Sequence, residues 1–312
     1  MIKYTIKRLI EAIPIWLAIT VIVFLLMNFI PGDPVMQLMD ARSGAIDEAV
    51  VEQIREEWGL NEPLYKQYVN FLVSAVQGDL GTSYQSRMEV TDVLIERIPV
   101  TVQITLLGLL VALIVGITAG IISAMKRGSW LDTTVSSLSI AGVSIPAFFL
   151  GLMLMYIFAV ELRVLPASGY KAGEIKFLIL PALTLGLSVS GIVARITRSS
   201  MIDILKMDYM ITSYAKGLKK VRIIGVHAMK NALPPILTIV GVQLGLLLSG
   251  AVITETIFGL PGVGRLLIDS IMQRDLPIVQ GCVIFIATVF LVVNLATDII
   301  NRLIDPRIRS KA

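Results

Sequence analysis

The chain has 312 residues, of which 55% are hydrophobic and only 16% charged, with a mean hydropathy of +0.82. That is too apolar for an ordinary soluble domain. The cations behind its net charge of +4 flank apolar runs instead of forming the basic face a nucleic-acid partner needs.

Six uncharged stretches follow one another, at residues 12–30, 98–125, 133–160, 177–194, 231–254 and 276–297. About 20 apolar residues cross a bilayer, so the sequence predicts an all-α membrane protein with six spans. The fourth stretch is the shortest and contains Pro181. Lys3, Lys7 and Arg8 before the first stretch resemble a signal-peptide start. The apolar run is longer than a signal peptide's, and five more follow, so a retained helix is expected. With the N-terminus inside, segments 1–11, 126–132, 195–230 and 298–312 share one side and carry seventeen Lys and Arg against six Asp and Glu. Basic residues stay on the side they need not cross from, which makes both termini cytoplasmic. Three parts are expected: an N-terminal segment and first span (1–30), an extracytoplasmic helical cap (31–97) and a core membrane domain (98–312).

In chain order, Pro31-Gly32-Asp33-Pro34 stops the first span. In the cap, Asp47 is suited to cap a helix carrying Val50, Val51, Ile54 and Trp58 on one face, with Gly59 ending it. Asn61-Glu62-Pro63 opens a second helix, whose stripe is Tyr65, Tyr68, Leu72 and Val76 up to Gly78. Asp79-Leu80-Gly81-Thr82-Ser83 reads as a turn. Pro99, Pro234 with Pro235, and Pro277 are placed to mark helix starts, whereas Pro146 falls inside the third span and should kink it. Small residues recur every fourth position: Gly108, Ala112, Gly116, Gly120 and Ala124, then Ala182, Gly186, Ser190 and Ala194, then Gly241, Gly245 and Ser249. Such spacing lets helices approach closely in lipid. Residues 255–275 are too polar to span and read as a structured outer loop, re-entrant only if protein covers it. Cys282 reads as a small core residue in the sixth span.

Much chemistry is missing. One histidine, His227, and no carboxylate cluster or cysteine pair exclude a zinc site of the common kinds, so no metal is expected. There is no Gly-x-x-x-x-Gly-Lys-Ser/Thr run to cradle phosphates, and no nucleophile–base set that would make a hydrolase. No ionisable residue falls near mid-span, where a proton- or sodium-coupled carrier needs one; Glu11, Arg195 and Asp298 sit at span ends.

The positive signal is the cytoplasmic segment 195–230. Residues 201–214 can run on as a helix from the fourth span. Gly217 permits a left-handed or tight turn, and Lys219, Lys220 and Arg222 follow. A helix–glycine–helix element of this kind can dock on a soluble domain, with Leu218 and Ile223 as apolar anchors and cations at the rim. Equally, the cations can serve only topology and anionic lipid. His227 reads as a structural helix residue, and Asn231 as a donor to backbone groups freed by Pro234 and Pro235.

Seven motifs then occur in order: Pro31-Gly32-Asp33-Pro34; Gly78-Asp79-Leu80-Gly81-Thr82-Ser83; Leu165-Pro166-Ala167-Ser168-Gly169; Asp208-Tyr209…Ala215-Lys216-Gly217-Leu218…His227…Asn231-Ala232-Leu233; Pro261-Gly262-Val263-Gly264-Arg265; Arg274-Asp275-Leu276-Pro277-Ile278-Val279-Gln280; and Asp305-Pro306-Arg307-Ile308-Arg309. With them the chain resembles the peptide-type permease subunits of bacterial ATP-binding-cassette importers, the dipeptide, oligopeptide, glutathione and nickel group.

The resemblance implies a type I importer permease fold in the cytoplasmic (inner) membrane, with residues 98–312 as the core permease domain. It implies that the 201–230 segment couples to an ATPase through Ala215, Lys216, Gly217, Leu218, Lys219 and Lys220, with Asp208, His227 and Asn231 supporting the loop. The general importer pattern has Glu-Ala-Ala where this chain has Ile211, Thr212 and Ser213. Implied partners are a second, homologous permease subunit, one or two ATPase subunits and an extracytoplasmic substrate-binding protein seated over the cap. The chain would be no enzyme and bind no cofactor, ATP and magnesium belonging to the ATPase subunits. Short peptides are the expected cargo, with nickel, glutathione or another small solute as the alternative. An ATPase-independent channel is the rival from another class. The substrate-binding residues are not legible.

Overall fold

A computed structural model of the protein describes residues 2–29, 35–36 and 48–304. Asp47 and the motifs at 31–34 and 305–309 lie outside these residues. Apart from an isolated bridge between Thr82 and Glu89, the described residues form helices and turns.

α1 (Ile2–Phe29) holds the first predicted span, with its apolar stretch at Ile13–Leu26. α2 (Glu48–Glu57) and α3 (Leu64–Val76) form the cap. α4 (Val90–Met125), α7 (Lys176–Leu205), a continuous run Lys220–Phe258 ending as α9 (Met229–Phe258), and α11 (Leu276–Ile304) contain the second, fourth, fifth and sixth. The third is broken. α5 (Trp130–Ser144) and α6 (Ala147–Met155, extended by a π-helical turn Tyr156–Glu161) meet at 103°. By length and composition the described helices supply four spans, or five if the bent pair counts as one, against six expected.

Pro146 causes the break. Its ring excludes the preceding residue from helical backbone, and Ile145 is extended at φ −79°, ψ 123°. The expected kink is therefore a full interruption. Conversely, Pro99 and the Pro234–Pro235 pair do not start helices but lie inside α4 and α9, while Pro277 does sit in the first turn of α11. Long apolar sequence follows Pro99 and the Pro234–Pro235 pair, and lipid, which offers a broken backbone no water to bond with, favours a continuous helix there.

The described residues divide into two compact units, 1–100 with 261–291, and 101–260 with 292–312. In the first, Val90, Leu94, Val263, Ile278 and Cys282 form a buried core, so the lone cysteine is indeed a core residue. The Thr20 hydroxyl and the Tyr68 phenol are hydrogen-bonded at 2.9 Å, beside a 5.4 Å Phe24–Tyr68 ring contact. α3 turns Tyr68 and Leu72 inward but leaves Tyr65 and Val76 72% and 82% exposed. The cap stripe thus runs through Tyr68, Phe71, Leu72 and Ala75. On α2, Val51 is buried and Val50 exposed, and Gly59 ends the element at φ +67° as expected.

Two of the motifs meet in this unit. The Asp79 carboxylate accepts from Gly81 N at 2.8 Å, closing the predicted turn. Asp275, buried, accepts from Ser83 Oγ at 2.5 Å and from the Tyr84 and Gln85 amides. Tyr84 stacks on Trp58 at 3.9 Å, with the Arg87 guanidinium over the indole. Burial, with the Asp275 charge adding to it, pushes the Tyr84 phenol above its usual range. Segment 255–275 is no loose loop: α9 continues to Phe258, Gly259 ends it at φ +65°, and α10 (Val263–Met272) follows.

The second unit is built on close helix contacts. A Cβ on Gly108 would stand 2.9 Å from Leu185 Cβ, one on Gly116 2.7 Å from Val193 Cβ, and one on Gly120 2.6 Å from the Ala194 carbonyl. On α7, a Cβ on Gly186 would meet the Gly108 carbonyl at 2.5 Å. The four-residue stripes of α4 and α7 are one interface, and the tight-packing reading holds.

Candidate functional site

The segment after α7 does not continue as one helix. α7 ends at Leu205, and α8 (Asp208–Ala215) restarts after Lys206 and Met207. Asp208 in the first turn of α8 favours the restart, since a carboxylate complements the exposed amides of a helix N-terminus. Gly217 then takes φ +71°, the left-handed turn its residue type allowed. Lys219 is extended, Lys220–Arg222 makes one helical turn, and Ile223–Ala228 is a π-helical turn feeding α9.

One side of this segment is a core. Met201 from α7, Met210 from α8, Ile223 and Ala228 from the π turn, and Ala232 from α9 have no exposed surface, and Leu218 packs against them. Ile223 is therefore unavailable as an anchor for a partner, and Leu218 is half-buried in the chain's own core. Apolar periodicity had marked both as sticky without telling which side they face. The surface left open is Ala215, Lys216, Gly217, Lys219 and Lys220, with Val221 83% exposed and Tyr209 on α8 also exposed. Val221 was not singled out by the sequence, though it stands between two of the cations that were.

The three supporting residues lie on the same frame. Asp208 is exposed, and its carbonyl accepts from Thr212 Oγ1. Asn231 Nδ2 donates to the His227 carbonyl at 2.8 Å. That bond ties α9 back onto the π turn; it does not reach the Lys230 or Asn231 carbonyls, which Pro234 and Pro235 leave without their usual donors. His227 is half-buried.

A charged cluster that the sequence did not reveal secures the helices beside this segment. Asp132 on α5 is 5% exposed and takes a two-pronged bond from Arg198 on α7, at 2.6 and 2.7 Å. The same carboxylate accepts from Ser123 Oγ on α4 and from Gly128 N at 2.9 Å. Three helices meet on one carboxyl group. A second carboxylate, Glu255 near the end of α9, has no exposed surface and accepts from Thr101 Oγ1 at 2.5 Å. Neither lies in the middle of a span. Among the described residues no group of three or more metal-ligating side chains comes together.

Comparison with known proteins sharpens this. Residues 116–310 match the family model described as "Binding-protein-dependent transport system inner membrane component", and residues 1–105 match its N-terminal companion. The glutathione transport system permease protein GsiC of Escherichia coli (strain K12) is 40% identical over 311 residues, covering the whole of both chains. Its counterpart in Shigella flexneri is equally similar, again across both full lengths. Among solved structures, the inward-facing MetNI methionine ABC transporter matches 68% of this chain and 96% of its own, with a TM-score of 0.56 at 18% identity. The fold is that of an importer permease.

Proposed function

Since the chain belongs to the family of binding-protein-dependent transport system inner membrane components, as the multi-pass permease subunit of an ATP-driven importer, we propose that it carries short peptides inward and is coupled to its ATPase through residues 215–221. ATPase subunits and a substrate-binding protein complete such a system, and hydrolysis belongs to the former. This chain would bind no nucleotide; ATP and magnesium sit on the ATPase. Both termini and the 201–230 segment are cytoplasmic in this reading, supported by the excess of Lys and Arg there. A second, homologous permease subunit forms the other half of the path. The full-length likeness to a glutathione permease supports a small peptide-like cargo, with nickel or another small solute as the alternative.

The observation that carries the coupling role is the pairing of an exposed basic tip with a buried seat. Lys216, Gly217, Lys219, Lys220 and Val221 face outward, while Met210, Leu218 and Ile223 join the packing of α7 and α9. A push on the tip therefore reaches two long helices directly. Asp208, His227 and Asn231 hold the seat in register.

Gly217→Val forces a β-branched residue into left-handed backbone, at a cost of about 1–2 kcal/mol. Uptake in cells should fall about tenfold or more while the chain still inserts. Wild-type uptake would overturn the coupling role. Purification with stoichiometric ATPase and a second permease tests the assembly, and competition of uptake by glutathione, dipeptides or nickel tests the cargo.

A further inference from the structure

A groove of about 280 Å³ lies between α5 and α7, with Arg198 of the charged cluster in its lining. Ser136, Ser139, Ile140 and Val143 line it from α5, and Gly191 and Arg195 from α7. Its floor is a close helix contact, since a Cβ on Gly191 would come within 2.5 Å of the Ser139 carbonyl.

The charges along it are unequal. Arg198 is matched by Asp132. Arg195, one turn further along α7, is exposed and has no ion-pair partner among the described residues. Ser139 and Ser144 donate to the Val135 and Ile140 carbonyls, so one guanidinium, with the Ser136 hydroxyl in the same groove, is left to meet an anion. The remaining wall is apolar, and Ile140 and Val143 are 63% and 49% exposed.

Depth separates the candidate anions. The Asp132 end of the groove adjoins the α4–α5 turn, which carries Lys126 and Arg127, and Trp130 at the start of α5 is 73% exposed. Basic residues with an exposed indole mark the membrane–water interface. Arg195 is three residues from Arg198, about 4.5 Å of rise, so it stands at headgroup depth. From Val135 to Ser144 the groove follows α5 for about 14 Å towards the hydrocarbon. A free solute anion has no use for that apolar length, whereas a phospholipid fills both parts.

We propose that the α5–α7 groove binds an anionic phospholipid, its phosphate on Arg195 and an acyl chain along Ile140 and Val143. Occupancy would hold α5 against α7 beside the Asp132–Arg198 bond, whose Arg198 also lines the groove. It would also tie the stability of these helices to the anionic lipid content of the membrane.

The test uses the full chain purified in its native complex and placed in phosphatidylcholine nanodiscs with or without phosphatidylglycerol. Lipid retained after delipidating washes is read by native mass spectrometry. Wild type should retain phosphatidylglycerol, Arg195→Lys should keep it, and Arg195→Gln should bind it about tenfold more weakly, the loss expected for one charge-assisted hydrogen bond. Should Arg195→Gln fail to assemble, Ile140→Trp, which fills the acyl channel, should displace the lipid instead. Equal retention by all variants overturns the proposal. So does displacement of the lipid by inorganic phosphate alone, which would make the site one for a free anion. A cysteine at Ile140 that cross-links to a second permease subunit also overturns it.

Discussion

The α4–α7 interface and the segment 206–228 both depend on glycine, for opposite reasons. At Gly116 the backbone is ordinary helix and the space is gone, a Cβ meeting Val193 Cβ at 2.7 Å. At Gly217 a Cβ would meet no non-neighbouring atom within 4 Å, and the backbone itself, at φ +71°, excludes most side chains. The first glycine serves packing between helices and the second serves direction of the chain. A tight helix interface and an exposed turn are thus made with the same residue type.

The strongest way to break that contrast is to remove the charge that pins the bundle. Asp132→Ala leaves Arg198 facing a cavity and unties Ser123, costing about 3 kcal/mol. The thermal midpoint of the purified protein should fall clearly, and an unchanged midpoint would mean the cluster is not holding the helices. Gly116→Leu follows at about 2 kcal/mol, because four carbons cannot be seated against Val193 without moving α4 from α7. Its loss should appear in stability and in uptake together. Gly217→Ala is the mildest, with about 1 kcal/mol of left-handed strain and no steric clash. It should leave the thermal midpoint nearly unchanged while lowering uptake. A fall in both would mean that the segment is part of the bundle's stability and not a separable lever.

Much of this was legible in the sequence, and the limits are physical. Long uncharged stretches report helix content well, since a backbone in lipid has few other options. The four-residue stripes marked α4 and α7 correctly because close approach leaves little choice of residue. Proline signals were less faithful. Pro146 did more than kink its helix, while Pro99, Pro234 and Pro235 interrupted nothing. A local clash can be met by the local sequence or overridden by surrounding apolar chain, and spacing alone does not tell which. At the candidate site, Gly217 and the cations are readable, but the apolar pattern does not show that Ile223 faces inward. Hydrophobicity gives an affinity for burial without naming the surface. The Asp132–Ser123–Arg198 cluster was invisible for a different reason. Arg198 is 66 residues from Asp132, and charges near the ends of spans are cheap and usually mean little.

The π turn Ile223–Ala228 holds one residue more than a regular helix would need there. An α-helix turns the chain by about 100° per residue and an i→i+5 turn by less, so these six residues cover about the angle of five α-helical ones. Deleting the exposed Gly225 should let the run close up as regular α-helix with Lys219, Lys220 and Val221 still facing as they do. A one-residue deletion within the regular helix of α9 should instead swing them by about 100°. On the proposed coupling role, uptake should survive the first deletion and fail with the second. The segment works like a keyed shaft, in which the angular setting matters as much as the parts it joins.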